Sequence, residues 1–389
     1  MRASLALSCC AILAACAVPP AAQDASGPTT SQDAPALSAA AAPAGPQAPS
    51  VQGTYAIATG KGGTRLAVSQ DGRLIFVADH AANTVSVIDA RRRRAVATIR
   101  GGGEMDRSAD GGGRGVWDVA PSSNGRLIYV SAMRDRLVSI VDLSTRRMIG
   151  QIRVGTLPSD MLLNRNDRRL YVIDAAENAL RVVDTARRHV IGSPVPLGAS
   201  VTAPGAAPQP AATRVRSAGL GLSPDGRRLY ATDRAGGALV VIDPDKRAVL
   251  ARVPVGPNPV SIVVARDTGA VYVLDDAGVV AVDTNAEPAN VRRVLQCPAG
   301  ALNALADGRD GRYLLAVASQ SNRVFVIDRH SGRIGGQAAT GARPRDARAS
   351  GGTVYTVDGD AASVSAIPGP PDATRAWPAA DDALGCRPA

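Results

Sequence analysis

The residues most suited to chemistry stand at one register of a recurring phrase. Eleven residues ahead of Phe76, Tyr129, Tyr171 and Tyr272 lie Arg65, Asp118, Asp160 and Ser261. Gly219 and Ala304 hold the same place in two more copies, with Asn303 beside the latter, and a shortened hairpin puts Asp346 in a seventh. Three carboxylates meeting at one mouth could hold a hard divalent cation such as Ca2+, and a metal-bound water there could serve hydrolysis. The plainer expectation is a polar, water-filled channel. Other chemistry finds little support. His80, His189 and His330 fall on turns of different repeats and cannot converge. There is no GxSxG elbow and no phosphate-cradling glycine loop. No CxxC or CxxCH occurs, so no haem motif is present.

A second set of residues is basic. The net charge is +10, and nearly all the cations are arginine, Lys61 and Lys246 being the only lysines. They cluster in one kind of turn, first as Arg91, Arg92, Arg93 and Arg94, then as Arg146 with Arg147 and Arg187 with Arg188. This pattern predicts a basic face suited to an anionic surface such as lipid headgroups or lipopolysaccharide, with nucleic acid as a further option. The alternative is a solvated rim whose arginines reflect codon composition.

Positioning such residues requires a repeat. The phrase Asp71-Gly72-Arg73-Leu74-Ile75-Phe76-Val77 followed by Val85-Ser86-Val87-Ile88-Asp89 has echoes in Leu127-Ile128-Tyr129-Val130 with Ile140-Val141-Asp142, and in Leu229-Tyr230 with Val241-Ile242-Asp243. Weaker copies centre on Tyr272, Leu315 and Tyr355. Asp-Gly and Asn-Gly turns are strong hairpin signals, and alternating β-branched runs are strand signals. With 40 glycines, 27 prolines and aromatics at only 3%, the composition favours short strands with a Val, Ile, Leu and Ala core. Each copy reads as four antiparallel strands, one propeller blade. Residues 54–60 read as a fourth strand with no blade before it, while the seventh copy is cut short at Pro368. The expected fold is therefore all-β, a seven-bladed propeller over residues 52–367, its ring closed by the N-terminal strand.

The Tyr-Val-x-Asp…Val-x-Val-Ile-Asp phrase resembles the YVTN family of β-propellers, with Asp79, Asp174, Asp233, Asp275 and Asp358 where the family has Asn. The resemblance covers nearly all of the folded chain. It implies a fold more than a function, since such propellers serve as lactonase-like enzymes, DNA binders and surface proteins.

The first residues read as an address. Met1 and Arg2 precede an apolar stretch ending Leu13-Ala14-Ala15-Cys16, which resembles the lipobox of bacterial lipoproteins. Residues 1–15 are then a signal peptide, Cys16 the lipidation site and 16–51 an Ala/Pro-rich tether. The expected place is the periplasmic side of the outer membrane, and the expected state a monomer. In that oxidising compartment Cys297 and Cys386 suggest one disulfide pinning the tail, residues 368–389. Two insertions, 101–115 and 198–216, lengthen loops on the channel-mouth face. Together these features favour a non-catalytic scaffold that binds a partner protein or envelope ligand. A lactonase-like hydrolase and a polyanion binder stand as alternatives.

Overall fold

Short turns set the strands. In the first blade Gly72 takes φ 70°, the left-handed conformation that glycine adopts without a Cβ clash. The Asp71 carboxylate accepts hydrogen bonds from Ser69 Oγ (2.7 Å) and Arg73 N (3.0 Å), tying the turn to itself. The same device recurs at Ser122, Asn124 and Gly125, and at Ser223, Asp225 and Gly226. Strands Gly63–Val68, Leu74–Asp79, Thr84–Asp89 and Arg94–Arg100 then pair antiparallel as one sheet.

The computed structural model describes residues 53–101, 115–198, 219–308, 311–369, 377–379 and 384–389. The expected signal peptide, Cys16 and the tether up to residue 51 lie outside the described residues, as do most of the two insertions.

Seven such sheets are present. Their innermost strands are Gly63–Val68, Val116–Pro121, Pro158–Leu163, Leu220–Leu222, Ser261–Val264, Ala304–Asp307 and Pro344–Ser350. Each touches the next and the last touches the first, so they form a closed ring. Tyr55–Ala58 pairs with Ser363–Pro368, the third strand of blade 7, in the register Tyr55↔Ala366 to Ala58↔Ser363. One blade thus contains both ends of the repeat array, and no open sheet edge faces the gap between first and last blades.

The core lies between the blades. Seven buried clusters each join two neighbours; Phe76 and Val87 of blade 1, for instance, pack with Val119 and Val130 of blade 2. The repeat's aromatics, Phe76, Tyr129, Tyr171, Tyr230, Tyr272 and Tyr355, are all buried, which is why the phrase keeps one large side chain per copy.

The tail runs back over the outer rim. Trp377 is buried against blades 6 and 7 and donates to Pro368 O (2.9 Å), while Gln337 N donates to Pro378 O (3.0 Å). Arg387–Pro388 adds a fifth strand beyond Asn290–Gln296 of blade 5. The Cys297–Cys386 disulfide fastens it there across a sequence separation of 89. Closing a loop of that size contributes about 4–5 kcal/mol in loop-entropy terms.

Candidate functional site

Four consecutive inner strands, those of blades 7, 1, 2 and 3, carry a register irregularity near their start, between Pro344 and Asp346, Gly63 and Arg65, Val116 and Val119, and Pro158 and Met161. Bulges of this kind re-aim a side chain. Here they coincide with Asp346, Arg65, Asp118 and Asp160. Blades 4, 5 and 6 carry Gly219, Ser261 and Ala304 at that register, and their strand pairings run without such a shift at this point. The charged residues therefore occupy one side of the channel.

What those side chains do is chiefly to join blades. Asp118 Oδ2 accepts from Met161 N of blade 3 (2.8 Å) and its Oδ1 from Val119 N (2.8 Å). Asp346 Oδ2 accepts from Leu66 N of blade 1 (3.0 Å), with Oδ1 held by Ala347 N (2.9 Å) and Arg348 Nη1 (2.6 Å). Ser261 Oγ accepts from Leu305 N of blade 6 (3.1 Å). Each time a side chain at the repeated register reaches the amide one residue further along the next inner strand. The rule crosses three of the seven blade junctions.

Arg65 departs from the rule. Its guanidinium bonds Asp160, two blades away, across the Asp118 blade between them. Burial works against the Arg65 charge, but Asp160, Asp346 and Asp118 outweigh it and hold its proton above the usual arginine value. Burial first, then the charge of Asp160, push Asp118 above the usual carboxylate range against the pull of Arg65 and two backbone N–H groups. Arg65 thus takes the position among the carboxylates that a metal cation would need. Among the described residues no cluster of three or more His, Cys, Asp or Glu side chains is arranged to hold a metal.

Asn303 does not share the channel. It is exposed, and its Oδ1 accepts from Ser319 N (2.7 Å). Ala304 holds the inner register instead, because neighbouring residues of a strand point to opposite faces.

Two cavities occupy the channel. The smaller, about 310 Å3, is lined by Arg65, Asp118, Asp160, Ser261 and Asp346. The larger, about 1110 Å3, opens at the opposite end among residues 69–73, Arg91, Arg93 and Ser350. Arg266, Asp307 and Arg348 line both and link them, and none of the three stands out in the repeated phrase. Arg348 had an available signal: it lies two residues beyond Asp346, on the same face of one strand.

The basic turns cluster on that opposite end. All eight residues, Arg91, Arg92, Arg93, Arg94, Arg146, Arg147, Arg187 and Arg188, are exposed. Arg92 pairs with Asp89 (3.0 Å), Arg187 with Asp184 (3.1 Å), and Arg93 lies over the Tyr55 ring (4.6 Å). Exposed pairs of this sort contribute little.

The Asp79-type residues are buried. Asp174 accepts from Ala176 N in its own turn (3.2 Å), but also from Thr156 N (2.7 Å) and Leu157 N (3.1 Å) in the loop leading to its blade's inner strand. Gly155 makes that approach possible: at φ 65° a Cβ there would lie 2.0 Å from Asp174 Oδ2. Gly60, Gly198, Gly256 and Gly341 meet Asp79, Asp233, Asp275 and Asp358 in the same way. These recurrent glycines were the sequence signal for the contact. His80 is likewise structural in its contacts, its Nδ1 bonded to Val116 O (3.1 Å) and its ring edge-on to Trp117.

No protein-family model and no curated protein matches the chain. Among solved structures, the chain is similar to Kuenenia stuttgartiensis hydrazine synthase, at 18% identity and a TM-score of 0.65, over 83% of this chain and 99% of that one. It is also similar to the Cps50 (Swd1) β-propeller domain of Myceliophteria thermophila, at 13% identity and a TM-score of 0.64, over 81% and 99%. At such identities the likeness establishes the propeller fold and nothing of activity.

Proposed function

We propose that this chain is a non-catalytic binding propeller of the YVTN-repeat type, lipid-anchored through Cys16 at the periplasmic side of the outer membrane. There it presents its faces, as a monomer, to a partner protein or an anionic envelope ligand. One observation carries the non-catalytic part: the channel carboxylates are committed to backbone amides and to Arg65, so their electron pairs hold the ring together. A lactonase-like site would need the same oxygens turned toward a metal and its water. The basic end and its large cavity support a binding role, since a concave site with convergent polar groups is where ligands settle.

Turnover of lactones by the purified full chain, with and without added Ca2+ or Zn2+, tests this. The expected rate matches buffer alone. Metal-dependent hydrolysis abolished by Asp160→Asn in a variant that keeps its β-sheet circular dichroism would overturn the reading. For the anchor, Cys16→Ser should move the protein from the membrane to the soluble fraction; unchanged membrane association would refute lipidation at that residue.

A further inference from the structure

The larger cavity has a charge pattern that the non-catalytic reading leaves unexplained. Its lining contains five arginines, Arg73, Arg91, Arg93, Arg266 and Arg348, against three aspartates, Asp71, Asp118 and Asp307. All three acids have partners: Asp71 in its own turn and beside Arg73, Asp118 at two backbone N–H groups, and Asp307 as well. Arg91 and Arg266 have no ion pair among the described residues, and both are exposed to the cavity mouth. Of Arg65, Asp118, Asp160 and Asp346 only Asp118 lines this cavity, and its wall is partly apolar, through Ala67, Ala120 and Ala349.

The arginines fall into two groups on different sides of the ring. Arg73, Arg91 and Arg93 come from blade 1, whereas Arg266 comes from the hairpin of blade 5, as far from blade 1 as a seven-membered ring allows. Arg348 lies on blade 7 between them and is already bonded to Asp346 (2.6 Å). A single small anion cannot bridge blades 1 and 5; a ligand with anionic groups at both ends can. Guanidinium forks match phosphate oxygens in pairs, so arginine is the side chain suited to such groups. At about 1110 Å3 the space is slightly larger than most small-molecule sites and is recessed in the channel, which suits a compact ligand or headgroup rather than a duplex laid on a surface.

We infer that the basic end of the channel is a binding site for a ligand carrying two or more phosphate groups, held between Arg91 and Arg93 on one side and Arg266 on the other. The inference rests on the binding reading above and specifies its ligand. The ligand is either a soluble polyphosphorylated molecule or the headgroup of an anionic lipid, the chemistry being common to both.

The test is calorimetric titration of the full chain with inorganic triphosphate and with orthophosphate, with phosphate release followed in parallel. Triphosphate should bind, orthophosphate at least about tenfold more weakly, and added salt should weaken both. Arg91→Ala/Arg266→Ala should lower triphosphate affinity by about tenfold or more, while Arg146→Ala/Arg147→Ala, equally basic but outside the cavity, should change it by less than about twofold. Cosedimentation with phosphatidylcholine vesicles, with and without cardiolipin, separates the sources. Cardiolipin-dependent binding that triphosphate displaces and the cavity variant lacks identifies a lipid headgroup; triphosphate binding without vesicle binding identifies a soluble ligand. Absence of triphosphate binding, or equal losses in the two double variants, would overturn the site and leave the non-catalytic reading standing. Release of orthophosphate from bound triphosphate would instead refute the non-catalytic reading.

Discussion

The two ends of the channel use the same residue types for opposite ends. At the carboxylate-rich end, Arg65 and Asp160 keep only 11% and 7% of their side-chain surface exposed and bond each other across a blade. At the other end Arg91 and Arg266 are open to water and carry no ion pair among the described residues. A buried charge must find a partner within the protein, so it becomes part of the architecture. An exposed one has no such obligation and remains available to a ligand. Arginine content alone therefore says nothing of function; its burial and partners do.

The sharpest way to break this contrast is to remove the buried cation. Arg65→Met should cost about 3–5 kcal/mol of unfolding free energy by leaving Asp160 uncompensated, measured by denaturant titration. A smaller loss, about 1–3 kcal/mol, is expected for Gly155→Ala, where a Cβ meets Asp174 and the backbone stays left-handed.

Titration sharpens the same comparison. Burial pushes Asp79 and Asp358 from 3.8 up to about 6, and Asp79 Oδ1 is buried without a hydrogen-bond partner. The folded state then holds these protons more tightly than the unfolded chain. Their stabilisation is fully present below 3.8 and is lost as pH rises through about 6. The double variant Asp79→Asn/Asp358→Asn should flatten this decline, a change of up to about 3 kcal/mol for each carboxyl across the window. An unchanged slope would mean that other groups govern it. The smallest effect belongs to the open end: Arg91→Ala/Arg266→Ala should leave stability within about 0.5 kcal/mol. A large loss there would erase the distinction.

The fold was legible because a blade is a local object. The Asp-Gly turn, the buried aromatic and the Val-x-Val-Ile-Asp strand lie within about 20 residues of one another, a span that one repeat of this kind covers. Even ring closure by Tyr55–Ala58 could be read, since a strand without a blade and a blade without a strand must meet. The register of Arg65, Asp118, Asp160, Ser261 and Asp346 was readable for the same reason. Their roles were not. Asp118 bonds Met161 and Asp346 bonds Leu66 across junctions that exist only once the ring is closed, and 280 residues separate the second pair. Asn303 was misplaced because a strand's two faces alternate, so an error of one residue turns a channel side chain outward. Arg266 has no counterpart in the repeated phrase, and only the cavity brings it to one place with Arg348.

A double-mutant cycle between Arg65 and Asp160 tests most directly whether the carboxylate-rich end is architecture. Unfolding free energies would be measured for the parent, Arg65→Met, Asp160→Asn and the double variant. The expected result is a coupling of about 2–3 kcal/mol, with the double variant more stable than Arg65→Met alone. Losses that simply add, to within about 0.5 kcal/mol, would contradict it and return these residues to the candidates for ligand binding or catalysis.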